Sequence, residues 1–174
     1  MSERFESERL LFRPQRIDDA AALFDVYGDV DLMRFWSSAP HGSVAETIVY
    51  LTPGARSSDW RGWAITMGGS DRAIGTVAAG RRREGVAELG YMLARAYWGR
   101  GIAREAVTRL LDLLFLEERH RRVFADIDPG NAPSTRLVEA LGFRREGLLR
   151  AEWETHIGVR DSAIWGLLRD EWRR

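Results

Sequence analysis

Apolar residues change period several times along the chain, and each change marks an element. Leu10-Leu11-Phe12-Arg13 reads as a strand stopped by Pro14, after which Ile17, Ala20, Ala21, Leu23 and Phe24 recur at helical spacing behind Asp18 and Asp19. Ser43 stands three residues ahead of Glu46, the capping-box spacing, and opens a second helix running toward Pro53-Gly54. Between the two helices, Phe35-Trp36 sits on a loop and serves either core packing or a substrate wall. Trp63–Met67, Ala73–Ala78 and Ala87–Leu93 are strand-like runs separated by Gly68-Gly69-Ser70-Asp71 and Arg83-Glu84-Gly85, which predicts an antiparallel meander.

From Arg104 to Glu117, Ala106, Val107, Leu110, Leu111, Leu113, Leu114 and Phe115 form a broad apolar face, the best-marked helix in the chain. Val123–Ile127 is then a strand, Ala132–Leu141 a helix closed by Gly142, and Phe143–Trp153 and Ser162–Leu168 closing strands. A meander joined to one strand–helix–strand unit is an α+β, or mixed α/β, arrangement around a central sheet. There is no internal repeat and no low-complexity linker, and 174 residues suit a single domain over 1–174.

Composition narrows the chemistry. The chain has no cysteine, so disulfides, thiolate metal sites and a cysteine nucleophile are excluded. Twenty-six basic residues balance twenty-six acidic ones, which gives no general attraction to nucleic acid or an anionic membrane. Arg81-Arg82-Arg83 and Arg119-His120-Arg121-Arg122 are the densest basic runs, each expected at a turn as solvated charge. No apolar run approaches the ~18–20 residues of a membrane span. The N-terminus lacks a secretory h-region, so the expected location is cytoplasmic. His41, His120 and His156 lie apart and are expected to be solvated or structural, with no metal implied.

The candidate chemistry lies between the meander and the long helix. Tyr97-Trp98-Gly99-Arg100-Gly101-Ile102-Ala103 leads straight into that helix, whose first turn presents unpaired N–H groups and the positive end of its dipole. Gly99 and Gly101 let backbone approach an anion, and Ala103 is small. Taken alone, these residues fit a diphosphate cradle or a plain tight turn. No Gly-Lys-Ser/Thr follows, so a nucleoside-triphosphate loop is unsupported, and the position past mid-chain disagrees with a dinucleotide fingerprint.

Leu93–Ala103 resembles the acetyl-coenzyme A signature of the GNAT superfamily of N-acetyltransferases, Gln/Arg-x-x-Gly-x-Gly/Ala, with Trp98 at the Gln/Arg place. A Trp-Gly-Arg/Lys-Gly run is frequent in the branch resembling ribosomal-protein N-terminal (alanine/serine) acetyltransferases. Glu8–Pro14 is similar to that branch's first strand. Asn131-Ala132-Pro133-Ser134 with Val138–Phe143 is similar to its Asn-x-x-Ser…Gly-Phe motif, and the tail through Asp161 to Trp172 is familial, so the resemblance covers nearly the whole chain.

The resemblance implies an acyl-coenzyme A N-acyltransferase fold, a mostly antiparallel central sheet with helices on both faces. It implies acetyl-CoA as donor, an amine as acceptor, and direct transfer without an acyl-enzyme. Backbone groups of Tyr91, Met92 and Leu93 would take the pantetheine arm, with an N–H near Leu93 holding the developing oxyanion. The amides of Trp98, Gly99, Arg100, Gly101, Ile102, Ala103 and Arg104 would take the pyrophosphate, Arg100 and Arg104 adding charge or remaining solvated. Asn131 is either an ordinary N-cap or a pantetheine contact. Ser134 would lie near the sulfur and protonate the departing thiolate, and Trp165 stands where this branch commonly has a tyrosine. Glu88 is either a surface glutamate or the base that accepts the amine proton.

The acceptor cleft is expected along Trp36, His41, Trp63 and Trp153–Gly158. The expected acceptor is a peptide N-terminal α-amine. Alternatives are a small amine such as a polyamine, an amino acid or an antibiotic, or a non-catalytic acyl-CoA-binding module. A monomer or homodimer without nucleic-acid or membrane partners completes the expectation.

Overall fold

In the computed structural model, which describes residues 4–54 and 59–172, one sheet holds eight strands. They are β1 (Phe5–Glu6), β2 (Leu10–Pro14), β3 (Trp60–Met67), β4 (Ala73–Arg83), β5 (Val86–Leu93), β6 (Arg122–Ile127), β7 (Arg144–Thr155) and β8 (Gly158–Leu168). Their order across the sheet is β1-β2-β3-β4-β5-β6-β8-β7. Every neighbouring pair is antiparallel except β5 and β6, which run parallel. That single parallel pair needs a crossover, and the long helix supplies it.

The helices are α1 (Ala20–Tyr27), α2 (Val30–Met33), α3 (Val44–Leu51), α4 (Ile102–Asp112) and α5 (Ala132–Ala140). Ser43 Oγ accepts from Glu46 N–H at 3.3 Å, but Glu46 returns its carboxylate to Gly42 N–H at 2.8 Å rather than to Ser43. The short α2 escapes the hydrophobic pattern. It is started by Asp29, whose carboxylate accepts from Asp31 and Leu32 N–H. Beyond Asp112 the chain continues helically to Glu117, as its apolar face predicts, but through a wider π-type turn.

The strands differ from their expected limits mainly at the ends. β3 starts at Trp60, β4 runs on to Arg83 and β8 starts at Gly158. Arg81-Arg82-Arg83 therefore closes a strand instead of occupying a turn. A ladder partner across the way extends a strand through polar residues, and the β4–β5 reversal needs only Glu84-Gly85.

Strand alternation divides the sheet into two faces. Trp63, Ile65, Val77, Leu89 and Leu93 pack with Ile102, Val107, Leu110 and Val138 in one core, beneath α4 and α5. Ala64, Ala73 and Met92 pack with Leu23, Val26, Met33 and Leu51 in another, beneath α1 to α3. The helices thus cover both faces.

On the second face one ion pair is fully enclosed. Arg13 and Asp19 have side chains 2% and 5% exposed, and Arg13 Nη1 and Nη2 donate to the two Asp19 oxygens at 2.8 and 2.7 Å. Asp19 also accepts from Arg16 N–H, while Arg13 Nε reaches Asp71 at 2.6 Å. The hydrogen bond that Arg13 donates to Asp19 leads the effects that hold its guanidinium more firmly protonated than usual. Removing one partner strands a buried charge, so Arg13→Ala should cost about 3–5 kcal/mol in urea denaturation. A loss below ~1 kcal/mol would show that water reaches Asp19.

Candidate active site

The site forms where the sheet comes apart. Val86, Ala87 and Glu88 pair with Arg122, Val123 and Phe124, and the β5–β6 ladder ends there. Ala94 N–H donates to Ile74 C=O, on the β4 side. Alternation along β5 therefore turns the amide groups of Tyr91 and Leu93 the other way, toward the gap left by β6. β4 holds β5 closely at this end because position 75 is glycine: a Cβ there would lie 2.4 Å from Met92 O and 3.0 Å from Leu93 Cα. Any side chain at 75 would push Leu93 into the gap.

After Leu93 a 3₁₀ turn over Arg95–Tyr97 leads to the glycine loop. Gly99 and Gly101 have φ of 71° and 73°, a left-handed conformation that costs other residues roughly 1–2 kcal/mol. No atom lies within 4 Å of where a Gly99 Cβ would be, which leaves open space over the backbone. Gly101 caps α4 without a side chain, and its C=O accepts the first helical bond, from Glu105 N–H at 3.0 Å. The N–H groups of Ile102, Ala103 and Arg104 precede any intrahelical partner. Arg100 and Arg104 are both exposed, and Arg100 lies over the Tyr97 ring at 5.7 Å.

The loop is clamped by residues far away in sequence. Glu105 accepts from Ser7 Oγ at 2.7 Å, Arg9 N–H at 2.9 Å and Arg9 Nε at 2.7 Å, and Arg9 Nη1 donates to Arg100 C=O at 3.2 Å. Burial works to raise the Glu105 carboxyl, but these donors outweigh it and hold it below the usual range. Trp98 Nε1 donates to Leu93 C=O at 2.7 Å, which ties the loop to the strand and leaves the Leu93 N–H as that residue's group facing the gap.

On the α1–α3 face the gap opens into a cleft of about 450 Å³ lined by Phe35, Trp36, Trp60, Glu88, Tyr91, Asp126, Asp128, Asn131, Ser134, Trp153 and Arg160, among others. Glu88, at the last ladder pair, is largely buried and bonds to Arg82 at 2.5 Å. Burial, the largest effect, pushes its carboxyl above the ordinary carboxylate range; Arg82 pulls it back, and nearby Asp126 pushes it up again. Tyr91 points to the opposite face and donates its hydroxyl to Ser134 C=O at 3.5 Å, across the gap. Burial pushes its phenol up to about 12.

Asn131 acts as the N-cap of α5, its Oδ1 accepting from Ser134 N–H at 3.2 Å. Its side-chain NH₂ group remains for the cleft that both residues line. Ser134 Oγ has no hydrogen-bond partner among the described residues.

Two expected cleft residues, Trp63 and His41, lie elsewhere, and Trp165, which stands where a tyrosine is common, does not line the cleft either. Trp63 is buried in the α4-side core, because alternation places it with Ile65 on the far face. Trp165, opposite Ala125 in the ladder, is buried in the same core and does not line the cleft, so neither an indole nor a tyrosine hydroxyl at that position would face the acceptor side. His41 supports the wall from behind, stacked on Tyr27 at 5.2 Å and bonded through Nδ1 to Thr47 Oγ1 at 2.9 Å. Trp36 and Phe35 do line the cleft, as do Trp153 and Thr155 from the expected tail segment.

The distant clamp Arg9–Glu105, the Tyr91 hydroxyl, Arg82 and Asp126 were not singled out by sequence reasoning. Among the described residues no helix is long and apolar enough to cross a membrane.

Residues 9–144 match the acetyltransferase (GNAT) domain. The N-acetyltransferase p20 of Bacillus licheniformis is 30% identical over 175 residues, covering 98% of each chain. The ribosomal protein uS5 alanine N-acetyltransferase of Escherichia coli is 29% identical over 75 residues, 40% of this chain and 39% of that one. A GCN5-related N-acetyltransferase of Brucella melitensis superposes with a TM-score of 0.87 at 25% identity, covering 99% of this chain and 81% of that one. With the divided sheet and the glycine loop at the head of α4, these matches establish that the chain belongs to the GNAT acetyltransferase family, enzymes that move an acetyl group to an amine.

Proposed function

We propose that this enzyme transfers acetyl from acetyl-CoA directly to a primary amine, with Glu88 accepting the amine proton. The observation that carries this reading is Glu88 itself: a buried carboxylate held above its ordinary range at the point where the strands part.

The residues present fit the donor. Open space over Gly99 and the unpaired amides at the start of α4 suit a diphosphate, and Arg100 and Arg104 are free to reach it from solvent. The outward amide groups of Tyr91 and Leu93, with Met92 holding the β4 side, suit an extended arm carrying amides of its own. Acetyl-CoA supplies an acyl group activated as a thioester. Leu93 N–H is aimed to stabilise charge on its carbonyl oxygen as the amine attacks. The C–N bond forms and the C–S bond breaks, the amine proton going to Glu88 directly or through water.

Ser134 Oγ donates a hydrogen bond to the sulfur as it leaves and keeps its own proton, the thiolate taking its proton from solvent. The Tyr91 hydroxyl is committed to Ser134 C=O at 3.5 Å, so it orders Ser134 beside the leaving sulfur.

A peptide N-terminal amine as acceptor is supported by the similarity to the uS5 alanine acetyltransferase. A small amine is supported by the aromatic walls and carboxylates of the cleft. Thiol release measured against N-terminal peptides and small amines tests both; no release with any amine would remove the transferase reading.

In Glu88→Gln, kcat should fall by roughly 10²–10⁴-fold. The wild-type rate should rise with pH as Glu88 loses its proton, above the ordinary carboxylate range given burial, Arg82 and Asp126. The variant should lack this acidic limb, and an unaltered limb moves the base elsewhere. Ser134→Ala should lower kcat more than it weakens acetyl-CoA binding, and unchanged turnover would take Ser134 out of the mechanism.

A further inference from the structure

We propose that Asp126 binds a second positive charge on the acceptor, so that the enzyme prefers amines carrying another cationic group a few bonds from the one acetylated. This rests on the reading of the cleft as the acceptor site. Asp126 lies two residues beyond Phe124, the last β6 partner of Glu88, on the same face of the sheet. Its carboxylate and that of Glu88 therefore face one cleft from the two parting strands.

The partners of Asp126 differ from those of its neighbours. Glu88 is paired with Arg82 and Asp128 with Arg160, the latter by two bonds of 2.7 and 2.9 Å. Asp126 has only neutral donors among the described residues: Ser162 Oγ on one oxygen and Trp153 Nε1, at 3.0 Å, on the other. Each oxygen keeps a further acceptor position. The lining carries Glu88, Asp126, Asp128 and Asp161 against Arg82 and Arg160, so a cation entering it meets an excess of negative charge.

The arrangement is held in place. Ser162 is fully buried, which fixes one oxygen. Trp153 is aimed by a bulge: Leu149 pairs with Ser162 and Trp153 with Arg160, so β7 spends four steps where β8 spends two. Ala151 within it has φ 54°, and its N–H donates to Asp161 at 2.8 Å. Trp153 also presents an indole to the cleft, a favourable wall for an ammonium group. An ammonium bound here would offset the repulsion between Asp126 and Glu88 and leave Glu88 to the reacting amine.

The test compares 1,4-diaminobutane with butylamine, by thiol release and by calorimetry in the presence of coenzyme A. Wild type should favour the diamine by about tenfold in kcat/KM and in binding, the size of one charge-assisted contact. Asp126→Asn should erase that preference when both amines are compared above the acidic limb, which the substitution itself shifts downward through Glu88, and Asp126→Glu should restore part of it. Equal loss for both amines, no diamine preference in wild type, or efficient transfer to neutral peptides that Asp126→Asn leaves unaffected would overturn the proposal. Diamine binding that depends on Asp126 without thiol release would sustain the charge site and defeat the transfer reading, so the two fail separately.

Discussion

The parallel ladder between β5 and β6 holds for three residue pairs and then stops, and the candidate site is arranged around that interruption. A strand that loses its neighbour exposes N–H and C=O groups that must find another partner. Here the outward groups of Tyr91 and Leu93 face a gap instead of a strand. The gap is kept open from both sides. Gly75 lets β4 hold β5 back, and the Tyr91 hydroxyl reaches Ser134 across the opening. Trp98 satisfies one carbonyl at its edge and joins the gap to the glycine loop. The proposed donor and acceptor sites are thus two sides of one break in the sheet.

The acceptor side shows how burial and pairing divide the work among similar groups. Glu88 and Asp128 both sit beside guanidinium groups, yet burial lifts Glu88, whereas for Asp128 the donors from Arg160 and Gly130 outweigh burial and hold it low. A carboxylate held low remains a charge and a structural anchor. One held high gives up its proton less readily and takes one more readily than an ordinary carboxylate. This difference is what favours Glu88 over the other acids of the cleft in the proposed proton transfer.

Features built from local chemistry were legible in the sequence. The glycine loop, the α4 N-terminus and the Asn131 cap depend on residues within a few positions of one another, and their physics is written in that spacing. The meander and the crossover also followed from turn residues and period. Strand ends did not, since Arg81–Arg83 and Gly158–Arg160 are extended by ladder partners rather than by their own alternation. Alternation separates two faces but does not name them, which is why Trp63 was assigned to the cleft although it lies in the α4-side core. Asp126 passed unnoticed because its donors stand 27 and 36 residues away, and the Arg9–Glu105 clamp spans 96.

The central claim is that the break between β5 and β6, together with the loop at Gly99–Gly101, receives acetyl-CoA. A crystal structure with coenzyme A tests it most directly. The expected result places the pyrophosphate within hydrogen-bond distance of the amides from Gly99 to Arg104, and the pantetheine arm along the outward groups of Tyr91 and Leu93, its sulfur near Ser134. A pyrophosphate bound away from the α4 N-terminus, or a gap closed by β5–β6 pairing beyond Phe124, would contradict it.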